Sequence, residues 1–164
     1  MSATPSLRYA QAGEGSLLNR LKLLARSLEL ASTPLSAETM DALNNAIGDR
    51  QNNIVYVAMV GSTPVGYIWA TTMGATANPS KPNERSVLLK DLYVRKDCQG
   101  SGAGSLLRNT VLDAYRGQGV SVQAEAPNTE AHRFWAKERR GRGFAPRSYT
   151  GNWVRSRTPS PAAR

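Results

Sequence analysis

The apolar positions along the chain change their period several times, and each change marks an element. LRYAQ at 7–11 has the brief alternation of a short strand. From Gly15 onward, Leu17, Leu18, Leu21, Leu24, Ala25 and Leu28 recur at helical spacing, which predicts an amphipathic helix. A second, weaker helix is predicted from Ser36, a residue able to cap it, through Met40, Leu43 and Ile47 to Gly48. The period then shortens. IVYVAMV, GSTP and VGYIWATTM read as strand, turn and strand, a hairpin, and after the polar loop ATANPSKPNE the segment SVLLKDLYV reads as a further strand. Beyond DCQGSGAG, the residues Ala103, Leu106, Leu107, Thr110, Val111 and Ala114 fall on one stripe, the strongest helical pattern in the chain. VSVQAEA predicts a strand, and NTEAHRFWAKERR a helix capped by Asn128 with Ala131, Phe134 and Trp135 facing inward. GFAPRSYTGNWVR predicts a closing bent strand or hairpin. This order of elements implies an α/β fold with a mixed sheet and no internal repeat.

Composition narrows the class. At 164 residues and 40% hydrophobic, the chain is expected to form one domain over 1–154, followed by a basic, Pro- and Ser-containing flexible tail over 155–164. No apolar run approaches the roughly 18 residues of a membrane span, and MSATPSLRYAQ lacks the layout of a signal peptide. A cytoplasmic protein without membrane contact is therefore expected. Cys98 and His132 are single residues of their kinds, too few for an internal disulfide or a zinc cage, so no metal is expected. The net charge of +9 is uneven: residues 1–84 hold six basic and six acidic groups, 85–125 six and four, and 126–164 nine and two. The basic excess sits in KERRGR and RSRTPSPAAR. It reads either as solvated surface or as a place for an anionic partner such as RNA or a cofactor phosphate.

The chemistry-bearing stretch joins the third strand of the middle group to the strongest helix. Glycine in a helix's first turn lowers helix stability, so DCQGSGAG needs a reason beyond local propensity. A Gly-rich turn between strand and helix aims several backbone N–H groups outward, where the helix dipole adds partial positive charge. A phosphate would satisfy those donors, and glycine would let the backbone approach it. Ordinary packing would also accommodate the turn. It lacks the GK[ST] of a Walker loop and comes late for a dinucleotide-binding fingerprint.

The surroundings resemble a family. DLYVRKDCQGSGAGSLLRN is similar to motif A of the GNAT superfamily of N-acetyltransferases, with the core [QR]-x-x-G-x-[GA] at Gln99, Gly102 and Gly104 and the L-x-V strand signature at Leu92 and Val94. The pattern N-x-x-A-x-x-F-[YW]…G-F, at Asn128, Ala131, Phe134, Trp135, Gly143 and Phe144, is similar to motif B. The two blocks cover about residues 85 to 145. The resemblance implies a mixed, mostly antiparallel, twisted sheet of six or seven strands flanked by about four helices. A splay is implied between the fourth and fifth strands, here SVLLKDLYV and VSVQAEA. It also implies acetyl-CoA as cosubstrate. The pantetheine arm would pair with the backbone near Leu92, Tyr93 and Val94, and the pyrophosphate would lie on Gln99, Gly100, Ser101, Gly102, Ala103, Gly104 and Ser105. Asn128 and Phe134 would line the far side. The implied reaction is direct acetyl transfer to an amine, small or macromolecular, of open identity.

Such transfer needs a neutral nitrogen and a proton for the departing thiolate. A lysine-like amine of pKa ~10.4 is neutral in only about one molecule in 2,500 at pH 7, a cost of ~4.6 kcal/mol, whereas an α-amine near pKa ~8 costs only ~1.4 kcal/mol. Family members commonly carry a glutamate four residues before the Leu of L-x-V and a tyrosine just after the Phe of motif B. This chain has Leu88 and Trp135 there. Asp91, which resembles an acidic residue of the polyamine acetyltransferases, is the first candidate base, followed by Glu125 and Glu84. Its structural alternative is a strand carboxylate paired with Lys90 or Arg95. Tyr93 and Tyr149 are candidate acids, although strand tyrosines commonly just pack, and the acylated ammonium can itself return the proton. Cys98 as acyl carrier and His132 as catalyst are disfavoured. Gly143 follows Trp135 by eight residues rather than the family's four. The addition brings arginines near the cofactor's adenosine end or the rim of the acceptor cleft. The competing class is a GNAT-fold module that binds acyl-CoA or nucleic acid without turnover, which Leu88 and Trp135 favour. A monomer or homodimer is expected, since a strand edge near the C-terminus could pair with another chain.

Overall fold

The structure is a computed structural model that describes residues 4–73, 85–115, 120–125, 144–146 and 152–155. Its contacts gather into two compact units, Met1–Ala70 with Asp91–Val111, and Thr71–Lys90 with Leu112–Arg164.

The first unit begins with β1 (Ser6–Tyr9), which pairs antiparallel with β2 (Asn53–Val60) in the register Leu7↔Ala58. A two-residue turn at 61–62 leads into β3 (Thr63–Met73), and the strand order continues to β4 (Arg85–Val94). Between β1 and β2 lie two helices, α1 (Gly15–Arg26) and α2 (Ala37–Gly48). The entry to α1 is fixed by Glu14. Its two carboxylate oxygens accept from Arg8 Nη1 and Nη2 at 2.7 and 2.8 Å, and Oε1 also accepts from the Gln11 N–H at 2.6 Å. The Arg8 hydrogen bonds hold the Glu14 carboxyl below the usual carboxylate range, against the opposing effect of its partial burial.

Leu18, Leu21 and Leu24 form the buried stripe of α1, as its spacing predicts. The helix stops at Arg26, however, and Leu28 does not extend the stripe. It opens a 3-10 turn (Leu28–Ser32) and is 42% exposed. Arg20 pins this turn, donating from Nη1 to Leu30 O at 2.9 Å and to Thr33 O at 2.6 Å. Ser36 caps α2 as expected, its hydroxyl accepting from the Thr39 N–H at 3.2 Å. The two helices are joined where the Gly15 N–H donates to Asn44 Oδ1 at 2.8 Å. The core of the unit combines Leu18 and Leu21, Leu43 and Ile47, Val55 and Val57, and Tyr67 and Trp69, with Tyr93 packed against it.

The third helix, α3 (Ala103–Ala114), buries Ala103, Leu107, Arg108, Val111 and Leu112. The expected stripe is corrected at its far end. Ala114 is exposed and Leu112 is buried, so the buried face runs along Ala103, Leu107 and Val111 toward Arg108 and Leu112, while Leu106 and Thr110 of the expected stripe are half-buried.

In the second unit, β4 pairs in parallel with β5 (Val120–Glu125), from Arg85↔Val120 to Leu89↔Ala124. β4 itself continues to Val94, five residues past its last registered pair. Antiparallel pairing then joins β5 to β7 (Asn152–Arg155) and β7 to β6 (Phe144–Pro146), so GFAPRSYTGNWVR yields two paired strands, with β6 last in the order. The sheet is mixed and mostly antiparallel and is accompanied by helices, as expected, which is the α+β variety of an α/β fold. The helix expected from Asn128 and the loop 75–84 lie outside the described residues. Among the described residues no helix is long and apolar enough to cross a membrane.

Candidate active site

The glycine-rich turn begins where β4 ends. The Arg95 N–H donates to Val65 O at 2.8 Å, which closes the β3–β4 ladder, and a 3-10 turn (Lys96–Cys98) carries the chain away. Gly100 and Gly102 then adopt φ values of +88° and +92°, a region in which other residues are strained. A Cβ added at either would meet nothing within 4 Å. The demand for glycine is therefore conformational, and it leaves the surface at these two positions free of side chains.

Helix α3 starts directly afterward, its first bond running from the Leu106 N–H to Gly102 O at 2.9 Å. The Ala103 N–H reaches only Ser101 Oγ, at 3.4 Å. Among the described residues, nothing in the chain accepts from the N–H groups of Gly102, Gly104 or Ser105. The first turn of α3 thus presents outward donors at the positive end of the helix dipole. Gln99 contributes differently. Its carboxamide donates to Val94 O at 3.0 Å and to Ala25 O at 3.2 Å, tying the turn to the end of β4 and the last turn of α1.

The other polar group of this region lies on β4. Asp91 Oδ2 accepts a hydrogen bond from the Tyr67 hydroxyl of β3 at 2.9 Å. The Arg95-to-Val65 bond sets the register that makes this contact: it places Tyr67 opposite Tyr93 and on the diagonal to Asp91. Gly66 permits the close approach, since a Cβ there would lie 2.6 Å from Tyr93 O. Tyr67 is fully buried. Burial first, then the charge and hydrogen bond of Asp91, push its ionisation far above the ordinary tyrosine range, so its hydroxyl stays protonated and donates. The rings of Tyr67 and Tyr93 lie 5.8 Å apart, and Lys22 Nζ sits 5.4 Å from the centre of the Tyr93 ring.

Neither structural partner suggested for Asp91 holds it. Arg95 instead engages Asp97, its Nε and Nη2 each 3.1 Å from a carboxylate oxygen, and no ion pair joins Lys90 to Asp91 among the described residues. Leu92, Tyr93 and Val94 are half-buried on β4, Ala103 is buried, and Gly100, Ser101, Gly102 and Ser105 are exposed. Leu88 is half-buried. Glu125 ends β5 in register with Asn152. Glu84, Asn128, His132, Phe134, Trp135, Gly143 and Tyr149 lie outside the described residues. Burial, with the neighbouring Asp97 charge, pushes the Cys98 thiol up and away from the reactive thiolate. Tyr67 is the residue that sequence reasoning passed over. The strand is buried on both faces from Val65 to Ala70, so its pattern does not single Tyr67 out, and only the β3–β4 register reveals what its hydroxyl meets.

The site thus consists of a strand that carries a half-buried carboxylate, a glycine turn rich in outward donors, and the helix that the turn opens. The chain belongs to the acetyltransferase (GNAT) family, whose profile matches residues 22–144. Solved structures agree on the fold. The PaiA N-acetyltransferase of Thermoplasma acidophilum, in complex with coenzyme A, is 15% identical, with 92% of this chain and 96% of that one covered at a TM-score of 0.66. An acetyltransferase of Thermus thermophilus is 22% identical, covering 94% and 99% at a TM-score of 0.62. An aminoglycoside acetyltransferase from an uncultured soil sample, in complex with sisomicin, is 15% identical, covering 79% and 82% at 0.58. No curated protein matches the sequence.

Proposed function

We propose that the chain is an acetyl-CoA-dependent N-acetyltransferase that passes the acetyl group directly to an amine. The observation that carries this reading is the set of N–H groups at Gly102, Gly104 and Ser105 without acceptors among the described residues, on a turn kept bare by two left-handed glycines. A diphosphate suits such donors at a helix N-terminus. The main chain of Gln99 to Ser105 would hold it. Leu92, Tyr93 and Val94, on the part of β4 beyond its registered pairs, would hold the pantetheine arm, and Asn128 and Phe134 are assigned to the same ligand by the motif B resemblance. The coenzyme A bound to the Thermoplasma relative supports the assignment.

Acetyl-CoA supplies an activated thioester, and the chain's residues supply proton acceptance and orientation. Asp91 is assigned as base, ahead of Glu125. An ammonium acceptor gives one proton to the Asp91 carboxylate, and the freed lone pair forms the C–N bond as the C–S bond breaks. The sulfur leaves with the bonding pair. The surplus proton on nitrogen then goes to that sulfur, directly or by way of Tyr93, and Asp91 returns its proton to water.

The sisomicin-bound relative makes small polyamines of the aminoglycoside kind one acceptor class. The basic quarter of the chain makes RNA-linked amines or acidic proteins the other. The test is release of free coenzyme A with a panel of α-amino amides, alkyl amines, aminoglycosides, lysine peptides and aminoacyl-RNA. Release with at least one acceptor is expected. Acetyl-CoA binding without release from any of them would leave a binding module, and absence of binding would remove the assignment altogether.

A further inference from the structure

We infer that Tyr67 is a positioning residue for this reaction, fixing one oxygen of the Asp91 carboxylate so that the other is presented for proton transfer. The inference rests on the assignment of Asp91 as base. A fully buried tyrosine hydroxyl needs a partner, and here the partner is Asp91 Oδ2 at 2.9 Å. Because Tyr67 is locked in the protonated state, its hydroxyl is a fixed donor toward Asp91. Among the described residues no group hydrogen-bonds to Asp91 Oδ1. The carboxylate is therefore divided into an anchored oxygen and an unengaged one.

The anchor is rigid. The Tyr67 ring belongs to the packed cluster that includes Leu18, Leu21 and Trp69, with Tyr93 against it, and Gly66 draws β3 onto β4 at this level. The nearest arginine in sequence, Arg95, is held by Asp97 and is not spent on neutralising Asp91. A neutral donor thus orients the carboxylate without cancelling its charge, which is what a proton acceptor requires. Asp91 is half-buried, not enclosed.

The test measures coenzyme A release by the wild-type chain, Tyr67→Phe, Asp91→Asn and the double variant, with glycinamide, benzylamine and butylamine as acceptors of rising basicity. Acetyl-CoA affinity is measured for each by calorimetry, and a thermal melt sets the assay temperature below every transition. Asp91→Asn should lower kcat by ~100-fold or more, the usual contribution of a general base. Tyr67→Phe should lower kcat by ~10-fold with acetyl-CoA affinity unchanged, and the double variant should be no slower than Asp91→Asn alone. The Tyr67→Phe loss should grow from glycinamide to butylamine, because the more basic amine depends more on deprotonation.

A Tyr67→Phe rate equal to wild type, with Asp91→Asn impaired, would overturn the positioning role and leave the base. Losses that multiply in the double variant, or that are equal for all three amines, would make Tyr67 merely structural and overturn it as well. Full activity in Asp91→Asn would remove the base assignment and this inference together. Wild-type acetyl-CoA binding without turnover of any amine would overturn the transferase reading itself. Tyr67→Phe keeps the ring that fills the core. Should it melt early, Asp91→Asn still reads the dependence on basicity, which must be present for the inference to stand.

Discussion

Gly102 meets two requirements with one residue: a backbone at φ +92° and a bare surface above the first turn of α3. Replacing it with valine should strain the turn by ~1–2 kcal/mol while covering the donors. We expect Gly102→Val to lower acetyl-CoA affinity at least ~10-fold, the loss of roughly one charge-assisted hydrogen bond. Acetyl-pantetheine, which has no diphosphate, should bind variant and wild type alike, and isothermal calorimetry with both compounds reads the difference. Cys98 lies just before the turn, yet its thiol is pushed up by burial and by Asp97. Cys98→Ala should therefore keep the wild-type rate within about twofold, because an unactivated thiol makes a poor acyl carrier. Loss of activity would instead point to covalent catalysis. At this scale the sequence disclosed residue types but not their partners. Asp91 could be singled out from its place before Leu92, whereas Tyr67 acquires meaning only from cross-strand register, which periodicity within one strand does not encode.

The elements that position these residues were legible wherever one period ran without interruption. Helices α1, α2 and α3 begin where the glycine, serine and Gly-rich signals put them. Their ends were harder to read. Leu28 continues the apolar spacing of α1, but Ser27 is extended at φ −162° and Arg20 captures the carbonyls of the turn that follows, so tertiary hydrogen bonding ends the helix before its pattern does.

Glu14 illustrates how such junctions are held. Arg8 keeps its carboxyl below the usual range, so the contact contributes its full stability above the unfolded-state value of about 4.3 and loses it as pH falls through the lowered folded value. Glu14→Gln should cost ~1 kcal/mol at pH 7. Urea unfolding curves of variant and wild type should converge as the solution is acidified below that range. A constant gap down to pH 3 would show that the charge contributes nothing. Between strands, Gly66→Ala would force a Cβ to within 2.6 Å of Tyr93 O. Destabilisation of ~1–3 kcal/mol is expected from such overpacking, together with loss of activity through the displaced Tyr67.

For the molecule as a whole, the family was readable because motif A is physics as much as sequence: a strand, a turn that needs left-handed glycines, and a helix whose first donors face outward. Motif B and the arginine-bearing stretch before Gly143 stand on residue resemblance, outside the described residues. The charge asymmetry bears on the acceptor. If the basic quarter receives an anionic macromolecule, KM for that acceptor should rise steeply with added salt, whereas a small cationic amine should lack this dependence. A salt titration of the initial rate separates the two.

The proposed grip of the turn on the diphosphate is tested most directly by following backbone amide resonances during a titration with coenzyme A. The amides of Gly102, Gly104 and Ser105 should show the largest shifts, at saturation with one equivalent, and in Gly102→Val the shifts of Gly104 and Ser105 should need at least ~10-fold more coenzyme A to reach their midpoint. Binding that leaves those three amides unmoved, or no binding at all, would contradict the proposed site.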